Sequence, residues 1–143
     1  MTSNNKLRER LLNFVVIGGG FSGVETIGEI KEMIDRLIPY YGSLNKNEIN
    51  FHIVEFASQL LPDMDKNIGE YTYKKFSKKN INVHLNTALK EVTEYKIFLS
   101  NNKSIFSHTV ISTIGSSVSE LIKNSGLDLE DGKIVADGFF RVK

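Results

Sequence analysis

Phe14-Val15-Val16-Ile17 is a continuous, mostly β-branched apolar run that stops at Gly18-Gly19-Gly20. Such a run reads as a strand buried on both faces. Beyond the glycines the period changes: Val24, Ile27, Ile30, Ile34, Leu37 and Ile38 share one helical face, while Glu25, Glu29, Glu32 and Asp35 lie largely elsewhere. This predicts an amphipathic helix of about four turns, ended by Pro39. Ahead of the strand, Leu7 to Leu12 carries apolar residues at helical spacing, with Ser3 or Asn4 as N-cap. Residues 39–48 hold turn formers without a clean period and read as a connection with some helix of its own. Phe51 to Glu55 is a second strand ending in an acid. Asp63 or Asp65 then caps a helix running through Ile68, Tyr71 or Thr72, and Phe76, with Lys78 and Lys79 in its last turn and Asn80 as left-handed C-terminal cap. Ile81, Val83 and Leu85 alternate as a third strand, completing two βαβ crossovers and hence a parallel sheet.

After residue 88 the runs shorten and alternate. Asn101-Asn102 is a tight-turn signal between Ile97-Phe98-Leu99 and Ser104-Ile105-Phe106, which predicts an antiparallel meander serving as a crossover. Thr109 to Thr113 returns as a core strand ending at Ile114-Gly115. Val118, Leu121 and Ile122 then suggest a short helix, and Gly132 to Asp137 a turn and strand.

No repeat or composition break interrupts the 143 residues, so residues 1–143 read as one domain. A formal charge of +1 gives no sign of a nucleic-acid surface, a polybasic membrane patch or an acidic tail. The chain has no cysteine, which removes disulfides, thiolate nucleophiles, zinc–cysteine sites and cysteine-ligated iron–sulfur clusters from this stretch. Its apolar runs fall far short of the ~20 residues of a membrane span, and its start is polar. A cytoplasmic location is the expectation.

Gly18, Gly20 and Gly23 satisfy G-x-G-x-x-G directly after a buried strand and at the opening of a helix. In that context Gly18 permits the tight turn, Gly20 lets the backbone approach a pyrophosphate, and Gly23 lets helix and strand pack closely. The orphan amides of the helix start face the phosphates, with the positive end of the dipole behind them. The fold class predicted is α/β: a Rossmann-like NAD(P)-binding domain with a parallel sheet, helices and a small antiparallel meander. An acid ending the second strand accepts hydrogen bonds from the adenosine ribose. Glu55 holds that position, although it follows Gly23 by 32 residues, where about 20 is usual. A carboxylate repels a 2′-phosphate, and Phe56-Ala57-Ser58-Gln59 offers no cation to receive one, so NAD is favoured over NADP.

The stretch from Asn13 through Gly18-Gly19-Gly20-Phe21-Ser22-Gly23 to Glu29 resembles the pyridine-nucleotide motif of the type II NADH dehydrogenases. These are FAD enzymes of the pyridine nucleotide-disulfide oxidoreductase superfamily. The likeness continues through Val54-Glu55, Leu61-Pro62, Lys79 to Val83, Leu85-Asn86-Thr87 and Asp137 to Val142, and so covers nearly the whole chain. The resemblance implies an NADH-binding domain excised from a larger flavoprotein, with the FAD domain missing and the fragment inactive alone. The parent would pass a hydride from NADH to FAD and on to a quinone acceptor, as a peripheral protein of the inner face of the cytoplasmic membrane. Carried over by position, Gly18, Gly19, Gly20, Phe21 and Ser22 contact the pyrophosphate, Glu55 the ribose, Ala88 and Leu89 the adenine edge, and Ile114 and Gly115 the nicotinamide side. Glu25, in the first turn of the helix, matches an acid near the junction of nicotinamide, flavin and quinone, where a catalytic proton-handling role is suspected. The other reading of Glu25 is an ordinary first-turn acid stabilised by the dipole. Two departures stand out: Ile27 replaces a small residue, and Ser116-Ser117-Val118 replaces an Asn/Pro-containing turn.

His52, His84 and His108 lie far apart in sequence and read as structural rather than as metal ligands. Tyr40-Tyr41 packs over a helix end, and the lysines at 74, 75, 78 and 79 form a solvated face. No serine–histidine–acid arrangement is legible. Two further function classes fit the motif: an NAD-sensing regulatory domain, and the same domain from a sulfide:quinone or nitrite reductase-like flavoprotein.

Overall fold

The computed structural model describes residues 4–115, 120–130 and 133–142. Helix α1 (Asn5–Leu12) is capped by Asn4, whose side-chain oxygen accepts the amide hydrogens of Lys6 and Leu7 at 3.1 and 3.2 Å. Strand β1 (Asn13–Ile17) follows directly and occupies an inner position in the sheet. It pairs in parallel with β2 (Asn50–Val54) on one side and β7 (Thr109–Ser112) on the other, and β3 (Ile81–His84) extends the sheet beyond β2. The order is β3-β2-β1-β7.

Helix α2 (Phe21–Leu37) joins β1 to β2 and starts directly after Gly20, so Gly23 lies inside its first turn. Pro39 falls in a short 3-10 turn, Ile38–Tyr40, that continues the helix end. A second such turn, Lys46–Glu48, carries a capping box from Asn45 and Glu48. Helix α3 (Lys66–Lys78) joins β2 to β3 and hands over at Asn80, which adopts the predicted left-handed conformation at φ +57°.

The period-2 alternation of β1 and β2 sorts their side chains between two layers. Val16, Phe51 and Ile53 pack with Ile27 of α2, Phe76 of α3, Ile81 and Leu60. Val15, Ile17 and Val54 pack on the opposite face with Ile97 and Leu99. The latter belong to the antiparallel meander β4 (Leu89–Val92), β5 (Lys96–Leu99) and β6 (Ser104–Phe106), which takes the place a helix would fill. Ile27, Ile53, Val15, Val16, Ile97 and Leu60 have no exposed surface, and each such side chain contributes about 1.5–3 kcal/mol.

Three expectations are corrected. The β7 strand is an edge of the sheet, with Val110 and Ile111 only half-buried, because the described chain supplies no strand beyond it. On α3, Ile68 and Tyr71 face solvent, and the helix packs through Phe76 and Gly69 with Thr72, the other expected position, half-buried. A Cβ at Gly69 would lie 2.7 Å from the Leu60 carbonyl, so the helix is held too close for a larger residue. Leu37 is exposed at the end of α2.

Helix α4 (Glu120–Lys123), the hairpin β8 (Leu129–Glu130) with β9 (Lys133–Ile134), and a bridge between Ala136 and Val142 complete the described chain. Ser116-Ser117-Val118 and Gly132 lie outside the described residues. Among the described residues no helix is long and apolar enough to cross a membrane.

Candidate functional site

The chain leaves β1 toward β2 on one side and returns through the meander to β7 on the other. The C-terminal ends of β1 and β7 therefore flank a topological switch point, the place where open α/β sheets form a crevice. The glycine loop sits there, and its four glycines meet different constraints.

Gly18 has φ +105°, a region L side chains avoid, and donates its N–H to the Val54 carbonyl at 2.8 Å. Gly23 is the point of closest approach. A Cβ there would lie 1.8 Å from the Gly18 oxygen and 2.9 Å from Thr113 Oγ1. Gly19 is hemmed in by Leu60 and Glu55, at 2.8 and 2.9 Å from such an atom. Gly20 is unlike the rest: an added Cβ would meet nothing within 4 Å. The backbone at Gly20 is thus bare on its outer side, and α2 begins at the next residue with first-turn amides that have no intrahelical acceptor.

Glu55 stands just past the end of β2, as expected, with both carboxylate oxygens engaged. One accepts the Gly19 N–H at 2.5 Å and the other the Ala57 N–H at 2.7 Å. An ionised carboxylate has about four lone-pair sites, so acceptor capacity remains for hydroxyls brought to its open side. The bare loop, the helix amides and the acid beside them fit a dinucleotide with pyrophosphate over Gly20 and ribose at Glu55. Phe21 and Ile114 are more than half exposed at the rim, and Ser22 is exposed.

Several predicted residues are brought together. Ile114 Cγ2 would lie 3.2 Å from a Cβ at Gly18, which puts the end of β7 against the loop, and Gly115 follows with φ +25°. Ala88 is tied to the meander, its N–H donating to Ser100 Oγ and its carbonyl accepting the Ser100 N–H, both at 2.9 Å. Leu89 is different from expectation: its side chain packs with the core beneath the meander. Glu25 is exposed, but it is the fifth residue of α2 and lies in the second turn. The first-turn placement is thereby corrected, because the helix starts at Phe21 instead of after Gly23.

The site also uses residues that the pattern did not single out. Thr113 Oγ1 donates to the Ile17 carbonyl at 2.9 Å, stapling β7 to the strand that feeds the loop. Leu61, at φ +52°, donates its N–H to the Gly19 carbonyl at 2.8 Å, while Leu60 closes the inner side of Gly19. A buried leucine pair shortly after the second strand's acid was visible in sequence, but nothing there showed the chain doubling back.

His52 and His84, 32 residues apart, are brought face to face by the β2–β3 pairing, with His52 Nδ1 and His84 Nε2 at 3.1 Å and rings stacked. Burial, reinforced by His84, pushes the His52 imidazole down to about 4. Burial, followed by the charge of Lys103, also lowers His84. A cavity of about 690 Å³ runs along β3 and between α2 and α3, lined by Lys31, Asp35, Lys46 and Tyr73 among others, and shares no residue with the glycine loop. Lys31 is buried there in an ion pair with Asp35, which also accepts Lys46 at 3.1 Å.

The sequence profile of the pyridine nucleotide-disulphide oxidoreductases matches residues 1–143. The chain is 28% identical over 141 residues to a probable NADH dehydrogenase of Dictyostelium discoideum, a match covering 95% of this chain and 31% of that protein. It is 31% identical over 97 residues to the type II NADH:quinone oxidoreductase NdhA of Mycobacterium tuberculosis, covering 67% of this chain and 20% of the other. The chain thus spans less than a third of the length of these relatives. Among solved structures it is similar to NDH2 from Plasmodium falciparum in complex with NADH, with TM-score 0.76, 27% identity, and coverage of 86% of this chain and 26% of that one. A NAD-dependent persulfide reductase from A. fulgidus shares the fold at TM-score 0.72 and 21% identity, over 96% of this chain and 24% of that one.

Proposed function

The chain belongs to the pyridine nucleotide-disulphide oxidoreductase family, and from that premise we propose that it is the NADH-binding domain of an FAD-dependent NADH:quinone-type oxidoreductase. The observation that carries this reading is the glycine loop: three of its glycines are locked against the fold while Gly20 opens onto free space beside Glu55. Similarity to a structure described as a complex with NADH supports it.

The chain's own residues have binding and orienting work to do. The first-turn amides of α2 receive the pyrophosphate, and Glu55 accepts the ribose hydroxyls while rejecting a 2′-phosphate by charge. Ile114 and Gly115 form the wall on the nicotinamide side. Glu25, exposed one turn along α2, is the acid assigned to proton handling on this reading. When bound, the nicotinamide supplies a hydride to a flavin, whose electrons go on to a quinone; the flavin and quinone sites belong to the remainder of such an enzyme. On this reading the isolated chain binds NADH weakly and turns nothing over.

The test is a titration of NADH into the chain, followed by NADH fluorescence. Saturable binding that Gly20→Val removes is the expected result, and absence of binding by the unchanged chain refutes the reading. For Glu25, Glu25→Gln in a full-length flavoenzyme carrying this domain keeps NADH affinity and slows turnover; unchanged turnover across pH refutes the proton-holding role.

A further inference from the structure

We propose that Phe56 supplies the aromatic face on which the adenine of the dinucleotide stacks, so that it is a positioning residue for the adenosine half of the ligand. The proposal rests on the reading of the crevice as a dinucleotide site and extends it to the adenosine end.

Phe56 follows the ribose acid directly, in a turn that is otherwise small or polar (Ala57-Ser58-Gln59). The residue is 79% exposed. A solvent-facing phenylalanine is commonplace on a mobile tip, but here the backbone is pinned on both sides. The Glu55 N–H donates to the His84 carbonyl at 2.8 Å, and the Glu55 carbonyl accepts the Thr87 N–H at 3.0 Å. The Ala57 carbonyl accepts the Asn86 N–H at 2.9 Å, and the Ala57 N–H donates to Glu55 Oε1 at 2.7 Å. Asn86 holds a left-handed turn at φ +50° to make this possible. Phe56 is therefore presented by a rigid bracket between the loops that follow β2 and β3, and its ring needs little further ordering to receive a ligand.

Direction follows from the sheet. A dinucleotide with its pyrophosphate over Gly20 and a ribose at Glu55 runs from the end of β1 across the end of β2, so its base continues toward the end of β3. The side chains available there are those of the bracket. Leu89 is turned into the core below the meander, and Ala88 presents one methyl group. Phe56 alone in the bracket, residues 55–57 and 84–88 among those described, carries a large flat apolar surface that is exposed. An adenine ring is flat and polarizable, and stacking on an aromatic side chain gives affinity without reading the base's hydrogen-bonding edge. The absence of a cation at this position suits an adenosine whose ribose is unphosphorylated.

The test compares NADH with reduced nicotinamide mononucleotide, which keeps the nicotinamide, ribose and one phosphate but lacks the adenosine half. Binding of each to the 143-residue chain is measured by fluorescence or calorimetry. Phe56→Ala is expected to weaken NADH about tenfold or more and leave the mononucleotide unchanged, with the melting temperature unmoved because the ring is exposed. Phe56→Tyr restores NADH affinity. If Phe56→Ala binds NADH as the unchanged chain does, or weakens both ligands equally, the proposal is overturned while the dinucleotide reading stands. If the unchanged chain binds no NADH, both fall together.

Discussion

Replacing Gly23 by alanine tests the geometry of the glycine loop most directly. The new Cβ would sit 1.8 Å from the Gly18 carbonyl oxygen, whereas carbon and oxygen come to rest no closer than about 3.3 Å even in favourable C–H···O contacts. A displacement of about 1.5 Å is therefore needed. Gly18 cannot give, because its N–H is held by Val54 and the carbonyl before it by Thr113. Relief must come from α2, which would lift from the sheet and loosen Ile27, a residue with no exposed surface. Overpacking of this kind costs about 1–3 kcal/mol, and a clash this deep against backbone belongs at or above the upper end. Exchanging glycine for alanine inside a helix returns about 1 kcal/mol. The net is a loss of about 2 kcal/mol or more, roughly 4–8 °C in melting temperature for a chain of this size. Gly28 is the control, since it lies in the same helix and a Cβ there would meet nothing within 4 Å. Gly28→Ala should stabilise by up to about 1 kcal/mol. Gly20→Ala should cost less than about 1 kcal/mol, as a poorer N-cap, while abolishing NADH binding. Thermal and urea melts followed by circular dichroism, with NADH titration of each variant, separate the three. Equal melting temperatures for Gly23→Ala and Gly28→Ala would refute the close-approach argument.

Two other outcomes follow from the paired groups. His52 binds its proton less readily in the folded chain than in the unfolded one, so its contribution is fully present above pH 6.5 and is lost as pH falls toward about 4. Urea melts should show about 2 kcal/mol less stability at pH 5 than at pH 7 from this residue, and His52→Gln should flatten that slope; an unchanged slope would show that His52 is not its source. Glu55→Gln keeps the shape of the side chain but can accept with only one of its two terminal atoms, leaving the Gly19 or Ala57 amide unmet. A stability loss of about 1–3 kcal/mol and weaker NADH binding are expected, with a smaller preference for NADH over NADPH. A variant that keeps both the affinity and the preference would remove Glu55 from the ribose site.

Much of this architecture is legible in the sequence. The apolar run, the glycines and the helical face after them each report on neighbours a few residues away, and steric rules act at that range. The left-handed turn at Asn80 and the Asn101-Asn102 hairpin are legible for the same reason: a few side chains tolerate those backbone angles. Strand, helix and meander therefore appear in the predicted order. On α3 the apolar pattern was ambiguous: Tyr71 lies about 140° round the helix from Phe76 and points to water, whereas Gly69, Thr72 and Phe76 share the face that packs on the sheet.

What chain order alone left undetermined was convergence. Thr113 reaches Ile17, and His84 reaches both His52 and Glu55, only because β7 and β2 take opposite sides of β1 and β3 lies beyond β2. The same sheet order sets Gly20 apart from its neighbours, since Thr113, Leu60 and Glu55 arrive at Gly18, Gly19 and Gly23 from distant segments and leave Gly20 open. The sequence by itself determined that a glycine turn joins a buried strand to a helix, through backbone sterics and side-chain period. Which glycine faces a ligand was decided by tertiary structure, because space at an atom depends on everything packed around it.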